Sequence, residues 1–142
     1  MSTRCQIAVE GSKVLFYKHS DGYPSGVLDV LLPLVSAFWA SRGYDADLPA
    51  HIAHAFIAAN LKHYAEDSWY QKNPATVERS KFLGYGLDCE IHGDTEFLYT
   101  VKRDGSVTVE KTWSHTILGT FTTGTDPQTA IAVCDAILGG TA

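Results

Sequence analysis

The hydrophobic period switches three times along this chain, and the order of the switches limits the folds open to it. Cys5, Ile7 and Val9 alternate with Arg4, Gln6 and Glu10, a period of two. After Gly11-Ser12, residues Val14 to His19 return as a second alternating run. Leu28, Leu31, Leu34, Val35, Phe38 and Trp39 then recur at helical spacing, as do Ala53, Phe56, Ile57, Leu61 and Tyr64. Alternation resumes through Tyr85, Leu87, Cys89 and Ile91 and through Phe97, Tyr99 and Val101 to Val107 and Val109. A last helical stripe is formed by Ala130, Ile131, Cys134, Ile137 and Leu138. Period two marks strands with one buried face, and a period near 3.6 marks helices that bury a stripe. One-sided strands joined by short turns need helices on a single face. The expectation is an α+β fold over residues 1–142 as one domain: two layers, about five antiparallel strands, three helices mainly on one face.

The boundaries follow from turn and cap chemistry. Asp21-Gly22 breaks the second strand, and Ser25 is spaced to cap the first helix. Pro33 lies inside that helix, which predicts a kink or a break there. Gly43 suits its C-terminal end. Asp47 and Pro49 mark the start of the second helix. Asn60 lies within its apolar arc, so it is either a hydrogen-bonded link or the sign of a partly open face. Gly93-Asp94 and Asp104-Gly105 read as hairpin turns of a three-strand meander. Residues 116–125 fit a short strand or an extended loop. Thr125 and Gln128 have capping-box spacing before the last helix, which Gly139-Gly140 would stop. Residues 67–80 show little periodicity.

Composition narrows the function classes. The chain of 142 residues carries 11 Lys plus Arg against 16 Asp plus Glu, a net charge of −5. That excludes nucleic-acid binding by charge alone, which needs a cationic surface. The N-terminus has no cationic stretch followed by an apolar run, and the longest apolar stretch, residues 26–40, is short for a bilayer span. No membrane partner is expected, and the expected location is the cytoplasm. Cys5, Cys89 and Cys134 are widely spaced without a CxxC pair, which predicts three buried free thiols rather than a disulfide or zinc framework. The aromatic content, 7 Tyr, 6 Phe and 3 Trp, exceeds what the buried stripes consume.

Four clusters could carry chemistry. Tyr17, His19, Asp21 and Tyr23 crowd a strand end, where a carboxylate near His19 could orient it as a general base. The plain alternative is that Asp21-Gly22 shapes the strand-to-helix turn. His51 and His54 share a helix face, yet lack the glutamate and spacing of a zinc-protease helix and read as surface histidines. Asp88, Glu90, His92 and Glu96 project from the outer face of a hairpin and read as its solvated side rather than as a cation site. Trp69 and Tyr70 in the irregular segment could anchor a partner or seal the core edge. No phosphate-cradling loop, GxSxG elbow or dinucleotide fingerprint occurs, so no metal, cofactor or catalytic residue is assigned.

Thr3-Arg4-Cys5-x-Ile7 with Tyr17-x-His19-x-Asp21-Gly22-Tyr23-Pro24 resembles the opening of small accessory proteins of bacteriophages and prophages. Gly84-Tyr85-Gly86 and Ile91-His92-Gly93-Asp94 fit the same pattern. The resemblance implies a protein of the bacterial host's cytoplasm that binds and modulates a host protein, as in counter-defence against a CRISPR effector, without enzymatic activity. Its binding residues would come from Tyr17, His19, Asp21, Tyr23, Trp69 and Tyr70. The alternative is a small hydrolase or nucleotide-binding protein using the His19/Asp21 region. An unpaired edge strand would favour a homodimer.

Overall fold

The computed structural model describes residues 3–45, 47–77 and 85–140. Two strands open the chain, β1 (Cys5–Val9) and β2 (Leu15–Lys18), followed by helices α1 (Pro24–Ser41), α2 (Leu48–Glu66) and α3 (Ser68–Lys72). A further helical segment, α4, covers 74–77 among the described residues. Then come β3 (Tyr85–Asp88), β4 (Phe97–Val101), β5 (Val107–Lys111), β6 (Thr116–Phe121) and helix α5 (Pro127–Gly140). The fold is α+β, as the periodicities require. The sheet has six strands in the order β3-β2-β1-β4-β5-β6. It is mixed rather than antiparallel throughout, because β1 and β4 run parallel at its centre.

The inward side chains of the strands meet the apolar stripes of the helices. Cys5, Ile7, Val9, Phe16, Phe97, Tyr99, Val101, Val107 and Val109 pack with Val27, Leu28, Leu31, Val35, Phe56 and Cys134 in one core. Each fully buried side chain of this size stabilises the fold by about 1.5–3 kcal/mol relative to exposure. Helix α1 is long and apolar enough to cross a membrane by length and composition alone, yet here its Val27, Leu28, Leu31 and Leu32 are buried in the core.

Several local expectations change. Helix α1 starts at Pro24 behind Tyr23, not at a Ser25 cap; proline's fixed φ suits the first helical position and its missing N–H costs nothing there. The helix is unbroken through Pro33. Gly43 takes a left-handed φ of 73° and donates to the Phe38 carbonyl, closing the helix. Residues 67–77 are more regular than their periodicity suggests, because the Asp67 carboxylate accepts from the amides of Trp69 and Tyr70 and so caps α3; residues 78–80 of the same stretch lie outside the described residues. At α5 the cap is Asp126, which accepts from the Thr129 amide and hydroxyl, rather than Thr125. Residues 116–121 are a strand, β6.

The largest correction concerns β3. It pairs with β2 at the sheet edge and points the same way as β4, so Gly93-Asp94 is not a hairpin turn. Residues 89–96 cross the helix-free face instead. The alternation from Leu87 to Ile91 therefore does not mark a buried face. Leu87 is 69% and Ile91 56% exposed, and Cys89 lies at the surface rather than in the core.

Candidate functional site

The strand-end cluster is built by the turn between β2 and α1. Lys18, only 3% exposed, donates to the carbonyls of Ser20 at 2.6 Å and Asp21 at 3.0 Å. Burial lowers its pKa, with the neighbouring Cys5 and Asp21 opposing. Asp21 adopts a φ of 55°, a left-handed conformation that aspartate tolerates. Gly22 donates to the Thr3 carbonyl and accepts from the buried Tyr99 hydroxyl at 2.6 Å. A Cβ on Gly22 would press on the backbone of Thr3 and Arg4. The Asp21-Gly22-Tyr23-Pro24 sequence is thus consumed in docking the start of α1 onto the sheet.

His19 is not oriented by Asp21. Its Nδ1 lies 3.0 Å from the Tyr17 hydroxyl, and His19 and Asp21 form neither a hydrogen bond nor an ion pair. Tyr17 and His19 face the helix-free side, beneath the crossing segment. The Tyr17 ring is 6.1 Å from that of His92. Burial raises the Tyr17 phenol pKa; Arg4 lowers it, and Asp94 and Asp88 raise it further.

What holds the crossing is Gln6, a residue that the alternation placed on the polar face. It is completely buried and fully used. Its Nε2 donates to Asp88 Oδ2 at 2.8 Å and to the Glu90 carbonyl at 3.0 Å, and its Oε1 accepts from the His92 amide at 3.0 Å. His92 Nε2 lies 3.3 Å from Asp88 Oδ1, and Arg4 pairs with Asp94 at 2.7 Å. Asp88 and His92 are therefore occupied with each other and with Gln6 rather than free on an open sheet face. Among the described residues, no group of three or more His, Cys, Asp or Glu is placed to hold a metal ion. His51 and His54 are exposed, with the His51 ring 5.2 Å from Phe38.

The remaining predicted residues separate. Tyr23 sits at the start of α1, half exposed, 6.1 Å from Phe97. Trp69 and Tyr70 lie on α3, where Tyr70 packs edge-on against Tyr64 at 4.7 Å and Trp69 at 5.1 Å. Burial raises the Tyr70 phenol pKa, with Tyr64 and Asp21 adding to the shift. Tyr70 so seals the end of α2, while Trp69 stays 55% exposed.

Beside this aromatic end runs a surface that the periodicity did not reveal. The arc of α2 is only partly covered: Ile57 is 40% and Leu61 44% exposed. A cavity of about 270 Å³ is lined by Leu61, Tyr64, Tyr70 and Val77. A second, of about 160 Å³, shares Leu61 and Tyr64 with it and adds Ile57, Asn60 and Tyr85. A third, of about 420 Å³, continues along α2 and β3 through Ala53, Pro49, Val14 and Leu87. The second and third trace an apolar groove between α2 and the edge strand β3, and the first extends it along α2 to α3 and α4. Asn60 marks its open face, and the Tyr85 hydroxyl, whose pKa burial raises, sits there without a hydrogen-bond partner. A scan against protein-family models and searches of curated proteins and of solved structures return no match.

Proposed function

We propose that this chain is a non-enzymatic binding protein that docks a host protein of a bacterial cell into the groove between α2 and β3 and modulates it, in the manner of a phage counter-defence factor. The observation that carries the reading is the run of apolar side chains lining the groove, from Val14 and Leu87 past Ile57 and Leu61 to Tyr70. Soluble proteins expose large contiguous apolar patches chiefly where something binds. An edge strand beside such a groove offers both backbone pairing and side-chain pockets. The hydrolase alternative requires His19 and Asp21 to act on each other, and the Tyr17–His19 pairing gives it no support.

The test is affinity capture from bacterial lysate with wild-type protein and with Leu61→Glu and Trp69→Ala, each first checked for native circular dichroism. Wild type should retain a stoichiometric partner that Leu61→Glu loses by at least about tenfold, the effect of burying an unpaired charge in an interface. A stoichiometric partner retained equally by Leu61→Glu, or no partner at all, refutes the reading.

A further inference from the structure

Strand β3 and the groove occupy one edge of the sheet, and β6 forms the other. Among the described residues, no strand or backbone group pairs with the outer side of β6. An edge strand with unused donors and acceptors is a template for another strand, and proteins that avoid this keep the edge short or place Lys or Pro on it. β6 does neither: it spans six residues, Thr-Ile-Leu-Gly-Thr-Phe, without a charge or a proline. A bulge is a further protective device, and β6 has one, but its position makes the edge match itself. Phe121, Thr120 and Gly119 face Val107, Thr108 and Val109 of β5, whereas Ile117 faces Glu110, so Leu118 is the extra residue. Side chains alternate across a strand except at such a point. Val107 and Val109 are core residues, which places Phe121 and Gly119 on the core side, and Leu118 is buried there with them. Thr116, opposite Lys111, follows the same side. Ile117, 50% exposed, and Thr120, whose hydroxyl lies 3.2 Å from that of Thr108, point to the helix-free side. From Thr116 to Phe121 the sides are thus core, free, core, core, free, core, which reads identically in both directions.

We infer that two copies of this chain pair through β6, antiparallel, about a two-fold axis that passes between Leu118 and Gly119 perpendicular to the sheet. Ile117 then faces Thr120 of the second copy, and Thr116 faces its Phe121. Leu118 faces its Gly119, a large side chain set against none. Every opposing pair shares a side, so the two sheets join with both helix layers on one face. A shift of one residue either way sets a core-side position against a free-side one and loses the match. A closed dimer needs a self-complementary patch of this kind. Helix α5 packs on α1 and β6 and turns Gln128 to Asp29 of α1. Val133 lies about 140° round the helix from Gln128, on the other side of the buried Ala130 and Cys134, and is 43% exposed. That flank brings the two α5 helices together in the dimer. The interface lies on the opposite edge from the α2–β3 groove, so it stands independently of the host-protein reading.

Sedimentation equilibrium of the full chain tests the pairing. The weight-average mass should rise from 15.5 kDa toward twice that value between about 1 µM and 1 mM, the range of weak association. The β6 amides should gain hydrogen-exchange protection over the same range. Two double variants at the same exposed positions read the register. Ile117→Lys with Thr120→Lys sets like charges opposite one another twice across the interface. Ile117→Lys with Thr120→Glu sets opposite charges there twice. The first should dimerise at least about tenfold more weakly than the second, and added salt should narrow the difference. Native circular dichroism of both variants is the folding control. Leu61→Glu, in the groove, should leave the association unchanged. The inference is overturned if the chain stays monomeric up to about 1 mM or if the two double variants associate equally. It is equally overturned if Leu61→Glu abolishes the dimer, since the contact then lies in the groove.

Discussion

Replacing Gln6 by alanine tests whether one buried amide fixes the route of residues 89–96. Its side chain makes three hydrogen bonds, to Asp88, Glu90 and His92. Each contributes about 0.5–1.5 kcal/mol net, and a buried group stripped of its partner costs about 1–3 kcal/mol. Asp88, Glu90 and His92 are partly or largely exposed, so water can re-pair much of what the amide releases. The expected loss in Gln6→Ala is therefore about 2–4 kcal/mol, measured by urea unfolding. For a domain of this size, that corresponds to a melting temperature lower by roughly 10 °C. Hydrogen exchange should show lost protection in the crossing, since its amides then open without global unfolding. Gln6→Glu should cost at least as much at neutral pH, because it sets a second carboxylate against Asp88, and should recover as the solution is acidified. Thr100→Ala, on the same face, is the control, with a cost within about 0.5 kcal/mol. Combining Gln6→Ala with Asp88→Ala should give less than the sum of the single losses. A Gln6→Ala loss below about 1 kcal/mol with unchanged protection of residues 89–94 refutes the role assigned to Gln6.

Other consequences are measured in the same way. Tyr99→Phe removes the hydroxyl that serves the buried Gly22 carbonyl and should cost about 1–2 kcal/mol in urea unfolding. Asp67→Ala removes the α3 cap and should lower local stability by about 0.5–2 kcal/mol, with a change in Trp69 fluorescence. Burial pushes the Cys5 thiol from 9.0 to about 12 and the Cys134 thiol from 9.0 to about 11, and raises the Tyr85 and Tyr99 phenols. An acid whose folded pKa is raised contributes stability that is complete below its unfolded pKa and lost as pH rises through the folded value. Lys18, lowered by burial, works the other way: its cost shrinks as pH rises toward 10.5. The thiols and phenols outnumber it, so the urea midpoint should hold from neutral pH to about 9 and fall beyond it, with a shallower fall in Cys5→Ala.

The helices and most strands were legible because each buries one face, and burial writes its period into the sequence. What failed was the pairing of distant strands. The Gly93-Asp94 dipeptide looks like any hairpin turn, and nothing local distinguishes it from part of a crossing. The distinction lies in nonlocal pairs: Phe16 stacked on Tyr85 at the edge, and Phe97, Tyr99 and Val101 laid parallel to β1 at the centre. Gln6 occupies an outward position where a solvated polar residue is expected. Its role appears only when a segment more than 80 residues later in the chain is laid over it.

The same physics explains why the groove is not legible in the sequence. In a sequence, a polar site shows as polar and aromatic residues in excess of the core pattern. Tyr17, His19, Asp21 and Tyr23 met that description, and the structure spends much of their chemistry on the β2–α1 turn and on the Tyr17–His19 pair. A binding groove is written differently. Ile57, Leu61 and Leu87 follow the core period and look buried; they are exposed because no described element lies over that side of α2 and β3. Trp113 likewise continues an alternating strand on paper, yet it lies in the β5–β6 turn and is 72% exposed. In a small α+β domain, the informative residues are thus the apolar ones that obey the core period but sit beyond the reach of the opposite layer. They lie at sheet edges and helix ends, where the layers stop overlapping, and there the groove is found.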